Sequence, residues 1–217
     1  MIIIQPATLD DIPTLRALAR RIWLEYYPGI ISREQIDYML ARMYSAKALR
    51  REISEGVAWD LIRLRTEPGA LQTGGHGAPH SDAARGQRVE KHAGSESSAP
   101  GSRGSVHLFG SHPTEPVGFM SYSFDAAARR VKLSKLYLLP AWHGHGLGRQ
   151  MLQHVQARSA ELGALEIWLQ VNKQNIRAIR AYERAGFSVR ESVVTDIGGG
   201  FVMDDFIMVL RLRTPSD

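Results

Sequence analysis

The turn His143-Gly144-His145-Gly146-Leu147-Gly148 places three glycines in six residues between an apolar, β-rich run (Val131 to Leu139) and an amphipathic helical pattern (Leu147 to Leu162). A junction of this kind commits the chain to a strand, a tight turn and a helix in succession. Glycine lets the backbone approach an anion closely. The N–H groups at a helix N-terminus then point at that anion with the positive end of the helix dipole behind them. Arg149, in the first turn, adds a charge. The same turn would also serve merely to close a tight connection. It has no Gly-Lys-Ser/Thr, is too short for a Walker loop, and its glycines are spaced differently from the dinucleotide G-x-G-x-x-G.

The 217 residues, 44% of them hydrophobic and 23% charged, suffice for one well-filled domain, and a single domain over 1–217 is expected. The formal net charge of +5 comes from scattered Lys and Arg, which suits an anionic small ligand at least as well as nucleic acid. The chain contains no cysteine, which removes a disulfide framework, a thiolate zinc site and a cysteine thioester intermediate from consideration. The N-terminus has no basic region before its short apolar run, and no stretch reaches the ~20 apolar residues of a membrane span. A cytoplasmic location is the expectation.

Periodicity predicts a strand at Ile2–Gln5, then a helix capped by Thr8 with Ile12, Leu15, Ala19, Ile22 and Trp23 on one face, ending at Tyr26-Tyr27-Pro28-Gly29. Ser32-Arg33-Glu34-Gln35 is a capping-box pattern opening a second helix, and Ser45 starts a third through Ile53. Val57–Leu64 reads as a strand. From Thr66 to Ser105 the chain turns to Gly, Ser, Ala, His and Pro, with too little apolar area to offset its ordering entropy. The reading of 66–105 is a disordered, low-complexity insertion. Strand signals resume at Val106–Phe109, after which Pro113–Pro116 forms a turn, and continue at Val117–Phe124 and Val131–Leu139. The helix from Leu147 is expected to turn Leu147, Met151, Leu152, Val155 and Leu162 towards the sheet. Ile167–Val171 follows as a strand, Asn175–Ala185 as a helix with Ile176, Ile179 and Tyr182 on one face, and Ser188–Val194 and Phe201–Leu212 as a closing pair around Gly198-Gly199-Gly200.

Within this order, Leu136-x-Leu138-x-Pro140, the six-residue glycine turn, Asn172-x-x-Asn175, Ala178, Tyr182 and Gly186-Phe187 form an assembly that resembles the GNAT superfamily of acyl-CoA-dependent N-acetyltransferases. The resemblance covers Val117 to Leu210 firmly and the N-terminal helices more loosely. One departure is His143, where the turn usually opens with Arg or Gln. Because backbone N–H groups carry most of the phosphate contacts, this exchange should alter affinity without abolishing binding. The fold the resemblance implies is α/β (α+β): a mixed, mostly antiparallel central sheet, splayed at its middle strands, with helices on both faces.

The resemblance implies acetyl-CoA as co-substrate and no metal. It assigns the backbone of Leu136, Tyr137 and Leu138 to pair with the pantetheine arm. His143, Gly144, His145, Gly146, Leu147, Gly148 and Arg149 hold the phosphates. Asn172 and Asn175 supply amides for the pantetheine, Asn175 also fitting an ordinary helix cap, and Arg184 faces either a CoA phosphate or solvent. Tyr182 is the catalytic candidate, because a leaving CoA thiolate needs a proton or a strong hydrogen bond and a phenol supplies either; an amphipathic core tyrosine is the structural reading beside it. The general base stays open. The central strand, Lys132 to Leu136, offers no acid, and Glu25, His107, Asp204 and Asp205 are candidates without commitment. His143 and His145, even with His76, His80, His92, His107 and His112 elsewhere, lack the carboxylate or cysteine neighbours of a metal site.

The function that follows is direct transfer of an acetyl group from acetyl-CoA to a primary amine, either a small molecule or a protein or peptide amine. The expected protein is a monomer or homodimer with no nucleic-acid or membrane partner. The closing hairpin and Tyr26-Tyr27 are similar to small-amine and polyamine members of the superfamily, and Gly198–Phe201 either borders the acceptor pocket or is a plain hairpin connection. The missing strand carboxylate keeps an alternative open, a non-catalytic acyl-CoA-binding sensor or regulatory module.

Overall fold

The computed structural model of the chain describes residues 2–64 and 115–212. The expected insertion at 66–105, the strand at Val106–Phe109 and the histidines at 76, 80, 92, 107 and 112 lie outside the described residues. Seven strands, β1 (Ile2–Pro6), β2 (Ala58–Leu64), β3 (Gly118–Asp125), β4 (Arg130–Leu138), β5 (Glu166–Asn172), β6 (Ser188–Gly198) and β7 (Phe201–Arg211), form one sheet in the order β1-β2-β3-β4-β5-β7-β6. Every neighbouring pair is antiparallel except β4 and β5. The helices are α1 (Ile12–Tyr26), α2 (Arg33–Met43), α3 (Ala46–Ser54), α4 (Leu147–Glu161) and α5 (Ile176–Arg184).

The sheet separates two apolar layers. On one face α4 and α5 bury Met151, Leu152, Val155 and Ile179 against Val131, Leu133, Ile167, Leu169 and Met208. On the other, α1, α2 and α3 bury Leu15, Ile22, Ile36 and Leu49 against Trp59, Leu61 and Phe119. Each fully buried side chain of this size stabilises the fold by about 1.5–3 kcal/mol relative to exposure. The predicted caps on α2 and α3 form: Ser32 accepts from Gln35 N–H and Ser45 from Ala48 N–H. Thr8 does not cap α1 directly. It makes a capping box with Asp11 around a single 3₁₀ turn, Leu9–Asp11, which hands the chain to α1.

Two predicted core positions are exposed. Leu162 follows the last turn of α4, where the helix axis has carried it past the sheet, and Ile176 is the first residue of α5, beyond the reach of the sheet face. Strand β6 runs to Gly198 instead of ending at Val194, because it pairs with β7 along its whole length.

The decisive irregularity is in β4. Its register with β3 passes from Ser121↔Lys135 to Tyr122↔Leu133, so Ser134 is an extra, bulged residue. A bulge bends its strand and shifts the alternation of side chains by one. Val131 and Leu133 point into the α4–α5 layer before it, and Leu136 and Leu138 do so after it. Lys135 and Tyr137 therefore turn towards the α1–α3 layer. Parallel pairing with β5 covers only Arg130↔Glu166, Val131↔Ile167 and Lys132↔Trp168. Beyond Lys132 the two strands part. Trp168 marks the last paired position and carries Lys132 Nζ 4.8 Å from its ring centroid.

Strands β2 and β3, which flank the segment containing 66–105, are antiparallel neighbours in the register Ile62↔Gly118, with Val117 N–H donating to Ile62 C=O at 2.7 Å. A short connection can therefore join them. Loop-closure entropy changes by only about 0.6 kcal/mol per doubling of length. Replacing 66–105 with a short Gly-Ser turn is expected to preserve or slightly raise the thermal midpoint. A collapse of folding in the shortened protein would refute the expectation.

Candidate functional site

The parting of β4 from β5 opens a cavity of about 1120 Å³ that passes between the strands and is lined from both layers of the molecule. One side of it is the edge of β4 from Leu133 to Leu138, whose backbone groups facing β5 have no strand partner after Lys132. Leu136, Tyr137 and Leu138 are part of that edge, while their other edge is occupied by β3.

At the end of β4 the chain makes a 3₁₀ turn, Pro140–Trp142, and enters the glycine turn. Gly146 is the N-cap of α4 at φ 76°, a left-handed conformation that glycine adopts without a Cβ penalty. It brings no capping side chain. The first helical bond runs from Gln150 N–H to Gly146 C=O (3.2 Å), so the N–H groups of Leu147, Gly148 and Arg149 have no intrahelical acceptor. Gly144, Gly146, Gly148 and Arg149 line the cavity. The side chains of Leu147 and His145 do not: Leu147 is buried in the α4–α5 layer, and His145 lies exposed beside Trp142.

His143 lines the cavity beside the glycines and is anchored to the end of β4. Its Nε2–H donates to Leu138 C=O at 3.0 Å, and its ring meets Tyr26 edge-on at 5.4 Å. Burial lowers the imidazole from its ordinary value and so favours the neutral ring, and the Leu138 carbonyl, which can only accept, places a proton on Nε2. His143 thus closes off the free carbonyl at the end of β4 and packs against the cavity wall.

Asn172 ends β5 and accepts from Gln174 N–H at 2.9 Å, shaping the turn into α5. Asn175 is the N-cap of α5. Its Oδ1 accepts from Ala178 N–H (3.2 Å) and from the Tyr26 hydroxyl (2.7 Å). Both bonds use the oxygen, so the cap function is present and the amide donors are left to the cavity that Asn175 lines. Tyr182 and Arg184 follow on α5 and line the same space. Burial raises the Tyr182 phenol well above its ordinary value, with Tyr26 adding to the rise, and the group is a protonated donor at neutral pH.

On the α1–α3 side the lining is aromatic and charged. Trp23 stacks on Tyr27 at 4.4 Å, and the Tyr27 and Tyr137 hydroxyls are 3.3 Å apart. Lys135, turned inward by the bulge, is paired with Glu52 at 2.9 Å and lies 4.7 Å from the Trp59 ring centroid. Burial lowers the lysine and Glu52 opposes the shift. Neither residue was singled out as a site residue from the sequence. The apolar spacing of β4, with steps of two, three and two from Val131 through Leu133 and Leu136 to Leu138, was the available signal.

The four candidates for a base separate clearly. Glu25 is exposed and bound to Arg21 at 3.0 Å, and Asp204 is exposed and ion-paired with Lys173. His107 lies outside the described residues. Asp205 is 1% exposed, lines the cavity, and is the Cα partner of Asn172 across β5 and β7. Among the described residues neither of its carboxylate oxygens has a hydrogen-bond partner. Burial, reinforced by Asp204 and opposed by Lys173, pushes it up to about 6. No group of three or more His, Cys, Asp or Glu suited to a metal ion occurs among the described residues, and no described helix is long and apolar enough to cross a membrane.

The β6–β7 turn is tied to α2. Gly198 pairs with Phe201, leaving Gly199 and Gly200 as a two-residue connection with φ 65° and 79°, the positive pair that a tight hairpin requires. Tyr38 of α2 donates to Ile197 C=O at 2.6 Å, Arg42 reaches the same carbonyl, and Gln35 Nε2 donates to Val202 C=O at 2.9 Å.

With this geometry in place, comparison with known proteins identifies the lineage. A profile of the acetyltransferase (GNAT) family matches residues 80–187. The chain belongs to the GNAT superfamily. It is 42% identical over 84 residues to an uncharacterized N-acetyltransferase of Mycobacterium tuberculosis (strain ATCC 25618 / H37Rv), a match covering 39% of this chain and 53% of the relative. The chain thus spans about half the length of the curated relatives it matches first, 53% in each case. It is 25% identical over 201 residues to a spermidine N(1)-acetyltransferase of Thermoplasma acidophilum, covering 93% of this chain and 94% of the relative. The crystal structure of the PaiA N-acetyltransferase of Thermoplasma acidophilum in complex with coenzyme A superimposes with a TM-score of 0.64 at 22% identity, over 98% of this chain and 99% of that one, and shares its fold.

The hairpin clamp yields a stability test. A Cβ at Gly200 meets nothing within 4 Å, so Gly200→Ala carries only the left-handed penalty of about 1–2 kcal/mol. A Cβ at Gly199 would lie 2.9 Å from the Tyr38 ring, and Gly199→Ala is expected to cost more. Urea denaturation of the two variants measures the difference; equal losses would show that Tyr38 does not press on the turn.

Proposed function

We propose that this chain transfers an acetyl group from acetyl-CoA directly to a primary amine in a ternary complex. The observation that carries the reading is the open edge of β4 running into the uncapped N-terminus of α4. An extended amide-bearing arm can pair with the first, and phosphates can be met by the second. These residues fit the co-substrate. The edge from Leu136 to Leu138, apart from the Leu138 carbonyl that His143 occupies, pairs with the pantetheine, the N–H groups of the glycine turn and the first turn of α4 take the pyrophosphate with Arg149 beside them, and Asn172 and Asn175 offer amides. Arg184 contributes positive charge on α5.

The thioester carbonyl is then held at the parting of the strands, where amine and sulfur lie on opposite sides of it. The amine attacks the carbonyl carbon, the C–S bond breaks, and Tyr182 gives its proton to the departing thiolate. Its raised, buried phenol favours the neutral donor form that this step needs. With no cysteine in the chain, no cysteine acyl-enzyme forms. The relative named for spermidine supports a small-molecule amine as acceptor. A cytoplasmic location and a monomer or homodimer complete the reading.

Gly148 gives a clean test of the phosphate site. A Cβ there would meet only Leu138 Cδ1 at 3.9 Å, ordinary contact, so the fold tolerates a side chain while the cavity loses room. Gly148→Val is expected to fold and to bind acetyl-CoA at least about tenfold more weakly by calorimetry, a loss of about 1.4 kcal/mol. Unchanged affinity would remove the phosphate-site assignment.

Tyr182→Phe keeps the ring contact with Phe187, 5.7 Å between centroids, and deletes the hydroxyl. It is expected to lower kcat by roughly 10²-fold or more with little change in acetyl-CoA affinity. A fully active variant would transfer the proton-donor role away from Tyr182.

A further inference from the structure

Two faces of the sheet meet at the cavity, and their charges differ. Towards α4 and α5 the lining carries Arg149, Arg177 and Arg184, a cationic mouth suited to phosphates. Among the described residues that line the cavity the carboxylates are Glu52 and Asp205. Glu52 is neutralised by Lys135 at 2.9 Å. Asp205 is not neutralised: the neighbouring cation, Lys173, is ion-paired with Asp204 and lies 5.6 Å from the Phe206 ring centroid. A carboxylate that is 1% exposed, with neither oxygen hydrogen-bonded, is costly to the fold and is tolerated where a ligand completes it.

Its place in the sheet says which ligand. In β7, Phe201 and Met203 belong to the α1–α3 layer, while Phe206 and Met208 belong to the α4–α5 layer. Asp205, two residues beyond Met203, alternates onto the α1–α3 face, as does Asn172, its cross-strand partner. The phosphate-binding turn and Tyr182 belong to elements of the opposite face. Asp205 therefore stands across the strand opening from the thioester sulfur, on the side from which an acceptor must enter.

We propose that Asp205 receives the acceptor: its carboxylate binds the incoming alkylammonium and takes the proton that must leave before the amine can attack. The inference rests on the acetyl-transfer reading above. One N–H bond of the ammonium breaks and its proton passes to Asp205. The freed lone pair forms the C–N bond, and the C–S electrons leave on sulfur, which takes the Tyr182 proton. The second proton on the now cationic nitrogen returns to the Tyr182 phenolate, and Asp205 releases its own to solvent. The products are the amide, CoA thiol and one proton.

The charged groups that act on Asp205 are Asp204, on the opposite face of β7, and Lys173, and the imidazole lining the same cavity is His143. A base must be ionised to accept a proton, so kcat/KM should fall below about pH 6. The experiment compares wild type and Asp205→Asn for thiol release from acetyl-CoA with spermidine and a panel of alkyl primary amines, between about pH 5 and pH 9. The expected result is a loss of roughly 10²-fold in kcat/KM in Asp205→Asn and disappearance of the acidic limb, with acetyl-CoA affinity by calorimetry unchanged within about two-fold.

A second readout separates this role from a structural one. An Asp raised to about 6 from the model-compound value of 3.8 loses folding stability as pH rises from the lower value through the higher. Asp205→Asn should therefore raise the thermal midpoint, and by more near pH 8 than near pH 4. A variant of lowered midpoint, or one retaining full turnover, overturns the proposal, and an acidic limb that persists assigns it to His143 and does the same. A wild-type protein that binds acetyl-CoA but acetylates no amine of the panel overturns the acetyl-transfer reading and this inference with it, whereas turnover unaffected by Asp205→Asn overturns this inference alone.

Discussion

One extra residue in β4 decides most of the architecture. Without Ser134 as a bulge, β4 would continue beside β5, its edge would be consumed by ladder hydrogen bonds, and the sheet would have no opening. The bend gives up part of a parallel ladder, and the two apolar layers compensate by packing against the parted strands from both sides. The same residue flips the phase of the strand. Lys135, which a regular alternation would send to the α4–α5 face, is delivered instead to Glu52, Trp59 and Tyr44. A single backbone irregularity thus makes both the opening and the polar anchor behind it.

Much of the fold was legible in the sequence because its elements are locally signed. Ser32 and Ser45 announced α2 and α3 through capping chemistry, the period-2 and period-3.6 patterns located the strands and helices to within a few residues, and the glycine turn fixed the β4–α4 junction. The errors came from geometry that pattern alone does not carry. Leu162 and Ile176 have the right spacing, but helix ends overshoot the surface they are meant to cover. Cross-strand pairing extended β6 past Val194, since a strand lasts as long as its neighbour supports it.

At the site, the sequence named the residues that a turn and two helix starts bring together, and the structure sorted them. His143, Gly146, Gly148, Arg149, Asn175 and Tyr182 line one cavity, His143 while bonded to Leu138 C=O, whereas Leu147 and His145 turn their side chains elsewhere. Asp204 and Asp205 show why the remainder was hidden. Adjacent in sequence and identical in chemistry, they fall on opposite faces of β7, one bound to Lys173 in solvent and one enclosed without a partner. Only the register of β7 against β5 and β6 distinguishes them.

The bonds from Tyr38, Arg42 and Gln35 to the β6–β7 turn join an early helix to the far edge of the sheet, 155 to 167 residues away along the chain. In effect they make a hoop: α2, which lines the opening through Gln35, Met39 and Met43, is fastened to the turn leading into β7, which lines it through Met203 and Asp205, and neither stretch shares a residue with the glycine turn. Substitutions in either half of that hoop can reshape what enters from one side while the machinery on the other stays constant. A lineage can diversify its acceptors in this way by trading side chains between two fastened stretches, and α2 and β7 are where such divergence should accumulate in pairs.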